Sequence, residues 1–239
     1  YIIYYIRRVH MGDNNALLIK GSVFVRFQKS CIIEKTQKGS IYMNSLQRFR
    51  KLYKDSGDET IGDPYEGKLY IYNADCFIPD KGHNEHLSNY ALQTKNENDF
   101  VYCLFNINID KYNFFQFGNE IKDKLPKEYD KALIITNPEE FFKRLIKKAK
   151  DDGIELHHGC VNYYDEEDDL RRLYSLLSNG TKNVAFHKRK QYAYQQEYRF
   201  VSPNPEKLDH IELKIGDIRG ISYAIETKKL LCSTCFREK

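Results

Sequence analysis

The chain has 239 residues, of which 41% are hydrophobic and 30% charged, and its mean hydropathy is −0.67. This balance is typical of a soluble globular protein and excludes a collagen, a coiled-coil rod or a wholly disordered chain. The 38 basic and 34 acidic residues leave a net charge of +4 and a pI near 8.5. That charge is too weak by itself to indicate nucleic-acid binding.

No apolar run approaches the roughly 18–20 residues that span a bilayer. The apolar residues 1–6 are followed by two arginines, without the small-residue cleavage site of a secretory signal. We therefore expect a cytoplasmic protein with no membrane partner. The six cysteines are too sparse and irregular for a secreted disulfide scaffold. We expect most of them to be reduced, buried and inert.

In the first part of the chain, apolar and polar residues alternate in a way that predicts short strands at residues 1–10, 22–27 and 40–45. Apolar residues at helical spacing predict a helix over residues 46–53. Residues 55–67 are polar and include three glycines, which predicts a loop. Loops of this length inside a compact domain are often functional.

The clearest helix is predicted over residues 138–152. Asn137 can cap it, Pro138 fits its first turn and Gly153 ends it. The residues expected to form its buried stripe are Phe141, Phe142, Leu145, Ile146 and Ala149. A second helix is predicted over residues 165–178.

Further strands complete the prediction. They are expected at residues 100–105, 131–136, 197–201, 210–215 and 218–225. Because strands outnumber helices and the helices are clustered, the sequence predicts an α+β fold. We expect one domain over residues 1–239.

Several catalytic motifs are missing from the sequence. It has neither a Gly-rich phosphate loop nor a GxSxG nucleophile elbow, which argues against a P-loop NTPase, a kinase, a Rossmann oxidoreductase or an α/β-hydrolase. Cys232 and Cys235 have the spacing of a half zinc site, and His157, His158 and Cys160 could complete it. Nothing in the spacing requires that combination, so we expect no metal site.

A basic segment, residues 187–190, precedes Tyr192 and Tyr194. Interleaved cations and aromatic rings can bind single-stranded nucleic acid through phosphate contacts and base stacking. A solvated turn that leads into the next strand explains the same residues without a ligand.

Two charged residues share one face of a predicted strand. By alternation, Glu197, Arg199 and Val201 lie on one face, and Tyr198 and Phe200 lie on the other. Glu197 and Arg199 would be about 7 Å apart, close enough for a loose ion pair on a solvated surface. The other polar candidates near strand ends or in loops are Arg26, Tyr42, Asn44, Ser45, Asp63 and Glu66.

Five short motifs occur in an order that is similar to one protein family. They are residues 24–27 (FVRF), 41–45 (IYMNS), 62–66 (GDPYE), 101–105 (VYCLF) and 188–201 (KRKQYAYQQEYRFV). In this order the chain resembles the DUF2971 family of bacterial proteins, which is associated with the ADP-ribosyltransferase-like fold. The sequence departs from the family pattern at Gly62, where Asn is usual, at Tyr192, where Trp is common, and at Gln195, where a first Glu often lies.

The resemblance implies a split antiparallel or mixed β core around a central cleft, with peripheral helices. Residues 22–45 and 197–225 would pair in that core, and the 138–152 helix would pack outside it. Enzymes of this fold use NAD+ as a substrate and cleave the bond between nicotinamide and ribose. The reaction passes through an oxocarbenium-like ribose, as glycoside hydrolysis does.

The resemblance also implies roles for individual residues. Glu197 would be the catalytic carboxylate that stabilises the positive ribose and holds its 2′-hydroxyl. Arg26 would bind the pyrophosphate of NAD+, Tyr42 would stack on nicotinamide, and Asn44 or Ser45 would orient the ribose. The remaining substrate-binding candidates are Asp63, Glu66, Tyr194 and Arg199.

Three functions remain open at this point. The first is an ADP-ribosyltransferase or NAD+ glycohydrolase that acts as a toxin or phage-defence effector on a protein or nucleic-acid acceptor, with a cognate antitoxin or defence partner. The second is a non-catalytic module that binds nucleic acid or protein through residues 187–190. The third is a nuclease that holds two metal ions about 4 Å apart through Asp63, Glu66, Asp75 and Glu197. The first function requires that Glu197 and Arg26 face one cleft.

Overall fold

The computed structural model describes residues 16–19, 22–59, 62–78, 82–92, 96–108, 114–165 and 181–237. The strand predicted at residues 1–10 and nearly all of the helix predicted at 165–178 lie outside the described residues.

The described residues form strands and helices in an irregular alternation. The strands are β1 (Ala16–Ile19), β2 (Ser22–Gln28), β3 (Ser40–Ser45), β4 (Leu69–Ile78), β5 (His83–Leu92), β6 (Phe100–Asn108), β7 (Phe114–Gln116), β8 (Lys131–Ile135), β9 (His157–Cys160), β10 (Asn162–Tyr164), β11 (His187–Arg189), β12 (Glu197–Ser202), β13 (His210–Lys214), β14 (Ser222–Glu226) and β15 (Thr234–Arg237). The α-helices are α1 (Ser30–Gln37), α2 (Leu46–Ser56), α3 (Asn119–Glu128), α4 (Pro138–Asp151) and α5 (Thr227–Leu231). Short 3₁₀ helices cover Thr181–Phe186, Lys190–Gln195 and Arg219–Ile221.

Eight strands form one antiparallel sheet. Its main path runs in the order β13-β3-β6-β2-β8-β14, and β12 joins β6 to β9. Every pairing in this sheet is antiparallel. Strands from both ends of the sequence therefore share one sheet, and the α+β prediction is confirmed. The strand expected at residues 40–45 is present with the same ends, and those expected at residues 22–27, 100–105, 131–136, 197–201 and 210–215 are present with shifted ends. The strand expected at residues 218–225 begins only at Ser222, because Arg219–Ile221 forms a 3₁₀ helix.

The sheet splits along one edge of β6. On its other edge, β6 pairs with β12 from Phe100 to Phe105. On the split edge, β3 pairs with β6 only at Phe100 and Val101, and β2 pairs only from Phe105 onward. Residues 102–104 of β6 pair with neither β2 nor β3 on that edge, because these two strands diverge there and leave a gap. The gap lies within a single sheet, in which β2 and β3 pair with different stretches of the same edge of β6.

The two faces of the sheet are covered by different helices. Phe141, Leu145 and Ala149 of α4 are buried against one face, in a cluster that contains Tyr102 and Phe200. Residues of α3 and α5 pack in a second cluster on the other face. The predicted position of α4 outside the core is confirmed.

The ends of α4 also follow the prediction. The Asn137 side chain accepts a hydrogen bond from the Glu140 amide, Pro138 occupies the first turn, and Gly153 follows the helix with a φ of +70°. One member of the predicted stripe is wrong: the Ile146 side chain is 40% exposed, because it lies at the margin of the apolar face.

Two features were not expected from the sequence pattern. β4 and β5 form an antiparallel hairpin of ten-residue strands that pairs with no other described strand. The helices α1 and α3 were also missed. Among the described residues, no helix has both the length and the apolar character needed to cross a membrane.

The turn between α1 and β3 contains a glycine that tolerates no side chain. Gly39 has a φ of +93°, and a Cβ there would overlap the carbonyl of Gly216, which follows β13. Gly57, at the end of α2, also has a positive φ (+68°), but no atom lies within 4 Å of the position that its Cβ would take.

We expect Gly39→Ala to lower the free energy of unfolding by about 2–5 kcal/mol, since left-handed backbone costs about 1–2 kcal/mol and overpacking about 1–3 kcal/mol. Gly57→Ala, with the backbone cost alone, should lose about 1–2 kcal/mol. Urea denaturation of both variants measures the difference. Equal losses would show that the contact between Gly39 and Gly216 is not tight.

Candidate functional site

A cleft of about 700 Å³ opens at the split between β2 and β3. This volume lies in the range of about 300–1,000 Å³ that is usual for small-molecule sites. Residues of β6 and β12 line it together with residues of α1, α2 and α3. Of the nine site residues predicted from the sequence, seven line this one cleft. They are Arg26, Tyr42, Asn44, Glu66, Tyr194, Glu197 and Arg199.

Strand register explains why residues so far apart in sequence meet here. Asn44 is paired with Val101, and Val101 is paired with Val201. Directly paired residues share a face, and residues two apart on a strand share it too. Asn44 and Tyr42 therefore lie on the same face of the sheet as Arg199 and Glu197.

Arg26 lies in the split itself. Its Nη1 donates a hydrogen bond to the carbonyl oxygen of Cys103 (2.7 Å), and its guanidinium lies 4.9 Å from the centre of the Tyr102 ring. The guanidinium thus satisfies a carbonyl in the stretch of β6 that no strand covers. Among the described residues, Arg26 has no carboxylate partner.

Four charged side chains form a closed ring at the cleft. Arg199 contacts Glu197 through Nε (2.7 Å) and Glu66 through Nη1 (2.7 Å). Lys188 Nζ contacts Glu197 (2.9 Å) and Glu66 (3.2 Å). Each charge therefore touches two opposite charges. All four side chains are at most 10% exposed, so the ring is a buried, neutral network.

The prediction of a loose surface pair between Glu197 and Arg199 is wrong. The two side chains do share one face of β12, but the loop after α2 brings Glu66 onto this face, and β11 brings Lys188. Arg199 also donates to the Ala185 carbonyl oxygen (2.6 Å). The face that alternation left open to solvent is covered by segments distant in sequence.

The ring fixes the charge state of its carboxylates. Burial alone would raise the pKa of Glu197, but Arg199 and Lys188 outweigh it and hold that pKa far below its ordinary value of 4.5. Burial also acts to raise the pKa of Glu66, but the same two cations outweigh it, and the pKa of Glu66 is lowered. Glu197 is therefore ionised at neutral pH. A carboxylate with so low a pKa is a poor general acid or base there, but it can stabilise positive charge and accept hydrogen bonds.

A second buried charge anchors the loop that carries Glu66. Arg189 lies beside Asp63 (3.2 Å), and the rings of Tyr65, Tyr70 and Tyr192 surround its guanidinium at 4.8–5.6 Å. Burial and the charge of Glu66 raise the pKa of Asp63 despite this cation.

Arg50 of α2 holds the same loop from the other side. It donates to the carbonyl oxygens of Glu66 (2.6 Å) and Glu97 (2.7 Å). Gly62 lies so close to α2 that a Cβ would overlap the backbone of Tyr53. Gly62, which stands where the family motif usually has Asn, therefore lets the loop lie close to α2.

Two predicted site residues do not reach the cleft. Ser45 is buried, and its hydroxyl accepts a hydrogen bond from the Arg48 amide (3.3 Å), so it caps α2. It follows Asn44 on the same strand, and adjacent residues face opposite sides. Asp63 is buried against Arg189. Its role is to hold the loop.

The basic segment 187–190 fits neither sequence interpretation. Lys188 and Arg189 are buried in the networks described above, so they offer no cations to an external phosphate. The third cation of the segment, Lys190, is exposed, and it pairs with Asp165 (2.8 Å). A run of charges usually marks a solvated surface, and here it marks an interior strand.

The metal candidates are dispersed or neutralised. Asp75 lies on the β4–β5 hairpin, where it pairs with His86 (2.7 Å). Lys188 and Arg199 occupy the space between Glu66 and Glu197. Within the ranges that the structure describes, no three His, Cys, Asp or Glu side chains are grouped as metal ligands.

The expected burial of the cysteines is mostly wrong. Of the four cysteines whose side chains the structure describes, Cys31, Cys160 and Cys232 are exposed and free, and Cys103 is partly buried. Cys103 lines the cleft, where burial raises the pKa of its thiol to about 12, so it is not a thiolate nucleophile.

Sequence reasoning missed several cleft residues. Lys29, Lys35 and Arg48 are exposed cations that line it, and Tyr102 forms part of its wall. Arg48 lies three residues after the end of the predicted polar strand, in the first turn of the predicted helix, and that position was the one available signal. Lys29 and Lys35 belong to α1, which was not predicted.

Comparisons with protein-family models, with curated proteins and with solved structures found no match to this chain.

The ring predicts a large difference between two lysines. We expect Lys188→Met, which keeps the length of the side chain, to lower the free energy of unfolding by about 3–5 kcal/mol, because it leaves a buried carboxylate uncompensated. Lys147 on α4 is 71% exposed and paired with Asp151, so Lys147→Met should cost about 0–1 kcal/mol. Denaturant unfolding of both variants tests this, and a small loss for Lys188→Met would contradict the ring.

The lowered pKa values also predict a pH dependence. Glu66 and Glu197 have lower pKa values in the folded than in the unfolded state, so their contribution is complete above pH 4.5 and is lost as the pH falls toward the folded values. The cost of Lys188→Met should therefore be smaller at pH 3 than at pH 7 by about 1 kcal/mol or more. Asp63 acts in the opposite direction, so the difference between the two proteins is the quantity to measure. An equal cost at both pH values would contradict the assignment.

Proposed function

We propose that this chain is an NAD+-consuming enzyme that breaks the bond between nicotinamide and ribose and transfers ADP-ribose to an acceptor. The observation that carries the proposal is that Arg26 and Glu197, from strands about 170 residues apart, line the same cleft. The split of the sheet between β2 and β3 at this cleft also agrees with an ADP-ribosyltransferase-like fold, which we propose for the chain.

The charge state of Glu197 suits this reaction better than hydrolysis by general acid–base catalysis. When nicotinamide leaves, positive charge develops on the ribose C1′ and ring oxygen, as in glycoside cleavage. A carboxylate that is ionised and held in place before the reaction stabilises that charge without reorganisation. Glu197 meets both conditions, because Arg199 and Lys188 fix its orientation and its pKa.

The other roles follow from position in the cleft. Arg26 has no carboxylate partner among the described residues and can bind the pyrophosphate. Asn44, on the face shared with Glu197, can orient the ribose. Tyr42 is 41% exposed, so we assign the nicotinamide contact to the more enclosed Tyr194 instead.

One observation favours a non-catalytic binding module on the same fold. Both oxygens of Glu197 already contact cations, Oε1 with Lys188 and Oε2 with Arg199. A carboxylate held in this way contributes a weaker net field at the ribose than a free one. The two candidates differ in whether the charge of Glu197 is needed for a reaction.

Incubation of the protein with NAD+, alone and with cell extract, should release nicotinamide. We expect Glu197→Gln to reduce the rate by roughly 10²–10³-fold, the usual loss when a preorganised charge contact is removed. The matched control is Glu66→Gln, which removes the other carboxylate of the same ring and leaves the same charge imbalance. It should lose less than about tenfold once the rate is corrected for the folded fraction.

Thermal melting of both variants separates catalysis from folding. Equal rates for Glu197→Gln and Glu66→Gln at equal folded fractions would reduce Glu197 to a structural role. Absence of nicotinamide release from the wild type with every extract would overturn the enzyme and favour the binding module.

A further inference from the structure

Three exposed cations line the cleft beside its charged ring. Lys29 precedes α1, Lys35 lies in its last turn, and Arg48 lies in the first turn of α2. None of the three forms a salt bridge within the described part of the chain. On the same wall, the carboxylate of Glu212 is already paired with Lys214. Glu59 and Glu128 also line the cleft and form no salt bridge within the described residues, but these three cations and Arg26 outnumber them.

An aromatic platform stands beside these cations. The rings of Tyr42 on β3 and His210 on β13 are stacked, with centroids 4.4 Å apart and planes inclined by 20°. Tyr42 is 41% exposed, so its ring remains accessible. Burial raises the pKa of the Tyr42 hydroxyl, the charge of Arg48 opposes that shift, and the charges of Asp209 and Glu212 add to it. Arg48 and two carboxylates therefore all lie close to the platform.

Accessible stacked rings beside cations fit a ligand that carries both exposed bases and phosphates. Single-stranded nucleic acid offers unpaired bases that stack on aromatic side chains and phosphates that contact cations. The bases of a duplex are stacked on each other and cannot reach the platform. An acidic peptide would use the cations but gain nothing from the stacked rings.

We propose that the surface formed by Lys29, Lys35, Tyr42, Arg48 and His210, here called the platform surface, binds single-stranded nucleic acid as the acceptor of ADP-ribose. This inference rests on the proposed function. In the transfer, the bond from ribose C1′ to the nicotinamide nitrogen breaks and the electron pair leaves with nicotinamide. A nitrogen or oxygen of the nucleic acid bonds to C1′ and releases its proton to solvent.

Binding can be measured without NAD+. Fluorescence anisotropy with labelled 20-nucleotide single-stranded DNA and RNA should show that Tyr42→Ala weakens affinity by roughly tenfold or more, the loss that removal of one stacking ring usually causes. Tyr223 on β14 is the matched control, because it is equally exposed (42%) and does not line the cleft. Tyr223→Ala should bind as the wild type does. Neither side chain is buried, so neither variant should unfold.

The cations have a separate signature in the salt dependence. Each phosphate contact on a single strand contributes about −0.7 to the slope of log affinity against log salt. Arg48→Ala and Lys35→Ala should each reduce that slope by about 0.7. Lys147→Ala on the exposed surface of α4 should leave it unchanged.

Transfer is tested with radiolabelled NAD+ and the same oligonucleotides. Label on the oligonucleotide, reduced in Tyr42→Ala, supports the proposal. Nicotinamide release without label on the oligonucleotide overturns it and leaves the proposed function standing. Equal binding of polyglutamate and the oligonucleotides, or equal losses for Tyr42→Ala and Tyr223→Ala, also overturns it. If no nicotinamide is released under any condition, the acceptor role falls with the proposed function, whatever the binding result.

Discussion

The closed ring of Glu66, Arg199, Glu197 and Lys188 is the interaction on which the cleft depends. Removing four charges from water costs several kcal/mol for each ion unless every charge is paired and hydrogen-bonded. The ring meets that condition because each member contacts two opposite charges. It joins the loop after α2 to strands that lie more than 120 residues later. The position of that loop, and with it one wall of the cleft, is therefore tied to the charge balance at Glu197.

The same ring limits the chemistry that the cleft can perform. It holds Glu197 ionised far below neutral pH, so proton transfer through this carboxylate is unfavourable in either direction. Both carboxylates are already paired with Lys188 and Arg199, so neither is left free to ligate a metal ion. What remains is the stabilisation of positive charge that develops on a bound molecule. Because the ring as a whole is neutral, this effect depends on which member lies nearest to that charge, and Glu197 is the more exposed of the two carboxylates.

Local patterns in the sequence predicted the elements better than their contacts. Alternation placed Glu197 on the correct face of β12, and the cap at Asn137 located α4, because both depend on neighbours within a few residues. Arg199 and Lys188 were wrongly predicted to be exposed, because their burial depends on a residue that is distant in sequence. Their partner Glu66 lies more than 120 residues earlier, and nothing in a short window shows that a charge run will be covered. The motif resemblance did bring segments 62–66 and 188–201 together as candidates, and these are the segments that meet in the ring.

The split of the sheet explains why the site lies where it does. β6 is the central strand, and its residues 102–104 face the gap that opens between β2 and β3. A backbone carbonyl in such a gap needs a donor, and Arg26 supplies one to Cys103. That contact holds Arg26, which forms no salt bridge within the described residues, at the cleft that Glu197 also lines. The divergence of β2 and β3 also places Lys29 at the end of one strand and Arg48 just after the other. The geometry of the split thus gathers these cations around the ionised Glu197, in a cleft that Glu59, Glu128 and Glu212 also line. Phosphates of a ligand would contact the cations, and a cationic reacting centre would lie at Glu197.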